Sequence, residues 1–235
     1  MFQNLTRAIA GCNNQGDALL ETLLVEEKIT PDFCDASGKT LLHWASSEGR
    51  VDTMKILVSY GANMELFDRK NGFNALHFAA KHCQPRSLDY LLQNGMDWRT
   101  RTEIMETSCL HLVASVFPPD ANCRESARNL LLASHGEAAH LENFAGETPL
   151  HAAAASNNVT VALLLMKYGF RTTQYVNSAK LEYLLKSTRD NVVGVNLPQY
   201  DAIYIARSMS NHLMLKYLLE MKKKLSKAVY SYRDL

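Results

Sequence analysis

The sequence predicts an all-α solenoid of helix-turn-helix units with projecting loops, and three observations predict it. A short segment recurs at near-constant spacing, an amphipathic helical pattern follows each copy, and a glycine closes each pattern. The copies are TLLHWA from Thr40, NALHFAA from Asn74, SCLHLVA from Ser108 and TPLHAAA from Thr148. Their histidines are His43, His77, His111 and His151; the first two intervals are 34 residues and the third is 40. Self-similarity at such a period marks a repeat array. Thr, Asn or Ser heads each copy, and these residues accept a hydrogen bond from the first turn of a helix, so each copy starts one.

The second helix of each unit is read from its periodicity. VDTMKILVSYG sets Val51, Met54, Leu57 and Val58 on one face, and SLDYLLQNG does the same with Leu88, Leu91 and Leu92. ARNLLLASHG and VTVALLLMKYG repeat the pattern. Apolar residues spaced at three and four give a helix with one buried stripe. Gly61, Gly95, Gly136 and Gly169 stand where a left-handed cap would end that helix. From His to Gly is 18 residues in the first, second and fourth units and 25 in the third, which carries the insertion VFPPDANC.

These residues resemble the ankyrin family, whose signature is T-P-L-H-x-A at a period of about 33 residues; TPLHAA in the fourth unit matches it in full. The resemblance covers residues 35–175 and extends to both ends. It implies a single domain over residues 1–235. A degenerate N-terminal repeat fills 1–34, four recognisable repeats fill 35–67, 68–101, 102–142 and 143–175, and an insertion fills 176–200. A degenerate C-terminal repeat fills 201–227, before a tail at 228–235. In the first repeat Leu5, Ala8, Leu20, Leu23 and Leu24 are expected in the core; in the last, Leu215, Leu218 and Leu219, with Tyr204 in the histidine's place. Terminal repeats are atypical because one face meets water. The resemblance also implies that Thr40, His43, His77, His111, Thr148 and His151 are structural, hydrogen-bonding at the helix start and tying adjacent loops together.

Composition narrows the function. Nearly half of the 235 residues are hydrophobic, and the net charge is +1, without the broad positive field that holds nucleic-acid phosphates. VALLLM at 161–166 is the longest apolar run, far short of a membrane span. The N-terminus lacks the pattern of a signal peptide. Five scattered cysteines form no C-x-x-C pair, so zinc spacing is absent and a reducing, intracellular setting is expected. Cys109 and His111 lie two apart on a helix and point to different faces, unlike a nucleophile and its base. There is no phosphate loop and no nucleophile elbow. No catalytic residue, metal or cofactor is therefore expected, and the chain is expected to be monomeric on its own.

Ankyrin arrays bind through loop tips and the exposed side of their first helices, so the resemblance implies a protein partner on a concave surface. The candidate contacts are Phe67, Lys70, Phe73, Lys81, His82, Arg101, Ile104, Met105, Val116, Phe144, Glu147 and Tyr175. Contiguous exposed apolar residues mark interaction sites, and aromatic residues and Met are enriched in interface cores. The alternative is that several fold inward over neighbouring loops. The expected function is a non-catalytic interaction module: a scaffold, adaptor or inhibitor. Two alternatives stay open, a pathogen effector using the same surface and the targeting part of a larger enzyme.

Overall fold

The polar residue at the head of each motif fixes where a helix begins. In the computed structural model, which describes residues 3, 5–6, 13–173, 206–207 and 210–231, Thr40, Asn74 and Thr148 have extended backbone immediately before a helix. The chain divides into two compact units, Met1–Cys109 and Leu110–Leu235.

The first unit contains α1 (Asn13–Val25), α2 (Leu41–Glu48), α3 (Val51–Ser59), α4 (Ala75–Lys81) and α5 (Pro85–Gln93). First helices pack on first helices, α2 against α4, and second helices on second, α1 against α3 and α3 against α5. Leu41, Leu42, Met54, Leu57, Leu76, Leu88 and Leu91 are essentially fully buried between them. Each such side chain stabilises the fold by about 1.5–3 kcal/mol. Ala75, Ala79 and Ala80 are also fully buried, and their small size lets α2 and α4 approach closely. In the N-terminal repeat Leu20 and Leu24 are buried and Leu5 and Leu23 half-buried, while Ala8 lies outside the described residues. The Thr53 hydroxyl on α3 donates to the Asp17 carboxylate on α1 at 2.6 Å.

The second unit contains α6, which starts at the boundary (Cys109–Ala114), α7 (Ala121–Ala133), a 3-10 turn at Glu137–His140, α8 (Pro149–Ser156), α9 (Val159–Thr173) and α10 (His212–Ser231). α7 packs on α9, and α8 on α9. Asp120 caps α7, its carboxylate accepting the Cys123 N–H at 2.8 Å. α7 has 13 residues against 9 in α3 and α5, so part of the third repeat's additional length lies in its second helix. The Asn211 amide donates to the Ala154 carbonyl at 2.7 Å, which ties the head of α10 to α8.

Two expectations about these helices are corrected. Gly61, Gly95 and Gly136 have φ of +86°, +92° and +87°, as helix-ending glycines do, but α9 runs through Gly169 to Thr173. In the C-terminal repeat Leu218 is buried, but Leu219 is 37% exposed and Met214 is fully buried instead. The stripe on α10 is therefore set four residues apart at 214 and 218. Tyr175, the 176–200 insertion and Tyr204 lie outside the described residues.

Candidate protein-binding surface

Each motif histidine closes a small polar cage. The Thr40 N–H donates to His43 Nδ1 at 3.0 Å, the His43 N–H donates back to the Thr40 hydroxyl at 3.2 Å, and Nε2 lies 2.8 Å from the Leu66 carbonyl. Nδ1 accepts and Nε2 donates, which is the neutral imidazole with its proton on Nε2. In the next repeat the Asn74 N–H donates to His77 Nδ1 at 3.3 Å, and the His77 N–H to Asn74 Oδ1 at 3.1 Å. Its Nε2 lies near the Thr100 carbonyl, which favours the charged ring slightly, but makes no hydrogen bond of good geometry. In the second unit His111 Nε2 is 2.7 Å from the Glu147 carbonyl, and the Thr148 N–H reaches His151 Nδ1 at 3.1 Å. All six motif residues are buried. Burial pushes the His43 imidazole below its ordinary range and that of His77 down to about 4. Burial also pushes the Cys109 thiol well above its usual range, so no thiolate nucleophile is available there.

The loop tips follow a second rule that the sequence reading missed. One polar side chain organises each tip by accepting backbone N–H groups. Asp35 accepts those of Ser37 (2.8 Å) and Lys39 (3.0 Å), and Asp68 those of Phe73 (2.8 Å) and Asn71 (3.2 Å). Thr102 accepts that of Thr107 (3.0 Å), and Asn143 those of Ala145 and Glu147 (2.9 Å each). A left-handed residue then turns the chain: Gly38, Gly72, Glu106 and Gly146, with φ of +79°, +63°, +50° and +76°. Gly72 is required as such, because a Cβ there would sit 2.8 Å from the Glu103 side chain. In the first unit adjacent tips are joined backbone to backbone. The Arg69 N–H donates to the Ser37 carbonyl at 2.8 Å, and the Glu103 N–H to the Gly72 carbonyl at 3.1 Å.

The third tip differs from its neighbours. A hydroxyl replaces a carboxylate or carboxamide as its organiser, and Glu106 holds a left-handed conformation that costs a non-glycine residue about 1–2 kcal/mol. It presents Ile104 and Met105 at 59% and 49% exposure. The Thr102 N–H to Thr107 carbonyl bond (3.0 Å) and the Arg101–Ser108 bridge close its base. The two apolar side chains thus stand on a turn ordered without a partner.

The other candidates in the first unit sort into two groups. Phe67 and Phe73 are half-buried over the His77 ring, with centroids 6.2 and 5.8 Å away, and Phe73 meets Phe78 edge-on at 5.7 Å. These phenyl rings fold inward as a lid over the histidine. Lys70, Lys81 and His82 are exposed, and Lys81 Nζ stands 5.1 Å over the Phe73 ring. Arg101 is half-buried, with a guanidinium nitrogen 3.6 Å from the Glu106 carboxylate. Burial lowers the His82 pKa, aided by Lys39 and Lys81 and opposed by Glu48. Arg101 is therefore the cation tied to the third tip, whereas Lys81 stands at Phe73.

In the second unit Phe144 is 75% exposed, and Val116 is half-buried. Phe117, which the sequence reading passed over, is 64% exposed; it lies in the VFPP segment, where a bare apolar count gives no orientation. Glu147 is engaged twice, its carbonyl by His111 and its carboxylate by the Asn143 amide at 3.0 Å. Tyr175 is outside the described residues. Among the described residues, no helix is long and apolar enough to cross a membrane.

Comparison with known proteins finds ankyrin repeats in two stretches of the chain. A family model described as ankyrin repeats, in three copies, matches residues 6–102, and one for a single ankyrin repeat matches 145–174. Palmitoyltransferase AKR1 of Candida glabrata is 35% identical over 30% of this chain. E3 ubiquitin-protein ligase KEG of Arabidopsis thaliana is 29% identical over 62% of it. Ankyrin repeat and SOCS box protein 6 of Homo sapiens is 28% identical over 68%. The matched region spans 9% of each of the first two relatives and 37% of the third.

Proposed function

Since the chain belongs to the ankyrin-repeat family, we propose that it is a non-catalytic module that recognises a protein partner through the third loop tip. Ile104 and Met105 are the central contacts, with Lys70, Lys81, His82 and Arg101 as further contacts. The observation that carries this reading is the exposure of two adjacent apolar side chains on a turn closed by its own hydrogen bonds. A preordered apolar contact loses little conformational entropy on binding, and isoleucine and methionine gain from leaving water. Phe67 and Phe73 lie over His77 rather than touch the partner first.

Affinity capture with the wild-type chain and with Ile104→Ser/Met105→Ser tests this. Neither side chain is in the core, so the variant is expected to melt at the wild-type temperature and to lose the captured partner. Equal recovery by both baits would refute the assignment. A second reading has its own support: two of the similar proteins named above are enzymes of which the matched region is 9%. On that reading the repeats are the targeting part of a longer protein. Sequencing the full transcript tests it, and a reading frame without further domains would reject it.

A further inference from the structure

A second surface lies in the other unit, on second helices rather than loop tips. α7 and α9 flank an open groove of about 790 Å3, within the size range of ligand sites. Arg124, Glu125 and Arg128 are three and four residues apart on α7, so they share one face. Leu164, Lys167 and Tyr168 share a face of α9 in the same way and line the opposite wall. Pro119 and Asp120, from the insertion in the third repeat, lie at the head of α7 and also line the groove.

The charges in this groove are unbalanced and available. Arg124, Arg128 and Lys167 are exposed. Among the described residues none of the three has an ion-pair or hydrogen-bond partner, whereas the surface cations Lys28 and Lys55 each have a carboxylate at 2.7–2.8 Å. The lining also holds two carboxylates, Asp120, which accepts the Cys123 N–H at 2.8 Å, and Glu125, so three cations face two anions. The whole chain is nearly neutral, so this excess is local. Arginine matches a carboxylate with two parallel hydrogen bonds, and two arginines one helical turn apart offer two such sites in a row.

We propose that this groove binds an acidic segment of a protein partner. Its carboxylates pair with Arg124, Arg128 and Lys167, and an apolar side chain between them packs on half-buried Leu164 and Tyr168. A lone exposed ion pair contributes little and is screened by salt, so a small anion would be held weakly. Several pairs together with an apolar contact need a polypeptide. This site goes beyond the tip at Ile104 and Met105 and shares no residue with it.

Fluorescence polarisation of a fluorescein-labelled peptide alternating Glu and Leu, titrated with the full chain, tests the proposal. Saturable binding is expected, weakening steeply as salt rises from about 50 to about 200 mM. Arg124→Glu/Arg128→Glu is expected to weaken it at least about tenfold, through repulsion added to the lost pairs. Ile104→Ser/Met105→Ser is expected to leave it unchanged, so the two surfaces succeed or fail separately. If the double reversal does not fold, Lys167→Glu on the opposite wall carries the test, with a loss of about threefold expected. Equal binding of a Gln/Leu peptide, or unchanged affinity in the folded reversal variant, would overturn the proposal. So would tighter binding of a single-stranded RNA through the same arginines, which would assign the groove to nucleic acid.

Discussion

Acid is expected to weaken the first unit through His77. The ring is fully buried, and burial holds its pKa at about 4, against 6.5 in an unfolded chain. A pKa depressed by folding means that the native state excludes the proton. The stabilisation is complete above about pH 6.5 and is lost as the pH falls from there towards 4. At pH 5 the unfolded ring is almost fully protonated and the folded one neutral, which costs about 2 kcal/mol. That is a large part of the 5–15 kcal/mol typical of a domain. Burial of the ring is the main cause; the Asn74 N–H pointing at Nδ1 also leaves a proton there facing a second donor. His43, with the same cage and a lowered pKa, adds to the loss in the same direction. Asp35, lowered from 3.8, titrates below this window and does not confuse it. Urea unfolding followed by circular dichroism at about pH 7.5 and pH 5 reads the difference. His77→Gln, whose amide oxygen can still accept from Asn74, should lose about 2 kcal/mol less than wild type between the two conditions. Equal losses in the two proteins, or none in wild type, would refute the link between the buried cage and acid sensitivity.

Two further substitutions test the turn and capping arguments. Glu106→Gly should stabilise the protein by about 1 kcal/mol, because glycine adopts the φ of +50° without the clash that a side chain meets; a lower urea midpoint would contradict this. Asn158, fully buried before α9, donates to the Val113 and Val116 carbonyls (3.3 and 3.2 Å) and accepts from the Val161 N–H at 3.1 Å. Asn158→Ala should therefore destabilise by about 3 kcal/mol, since it leaves buried backbone groups unpaired. A change below about 1 kcal/mol would mean that water takes over those bonds.

The legible parts of the sequence were those where one residue type has one geometric use. Thr40 and Asn74 head helices because their side-chain oxygens take the histidine N–H, and the 34-residue histidine interval reports that geometry directly. The stripe at Met54, Leu57, Leu88 and Leu91 was readable because burial of a second helix imposes its period. What failed depended on competition between neighbours. Gly169 looks like a stop, yet α9 continues through it. Phe67, Phe73, Ile104 and Met105 look alike as apolar loop residues. Two lie over His77 and two face water, a difference set by the left-handed turn at Glu106 and the ring beneath, neither of which periodicity encodes. The tip organisers Asp35, Asp68, Thr102 and Asn143 were spaced for discovery, but their chemistry varies from carboxylate to hydroxyl, so no single letter recurs.

Titration of the captured partner against the wild-type chain and Ile104→Ser/Met105→Ser, by calorimetry on proteins of matched melting temperature, addresses the binding function most directly. Each side chain has the size and exposure of an interface anchor worth about 1–2 kcal/mol. The dissociation constant is therefore expected to rise at least about tenfold. An unchanged constant would move recognition away from the third loop tip and contradict the proposed function.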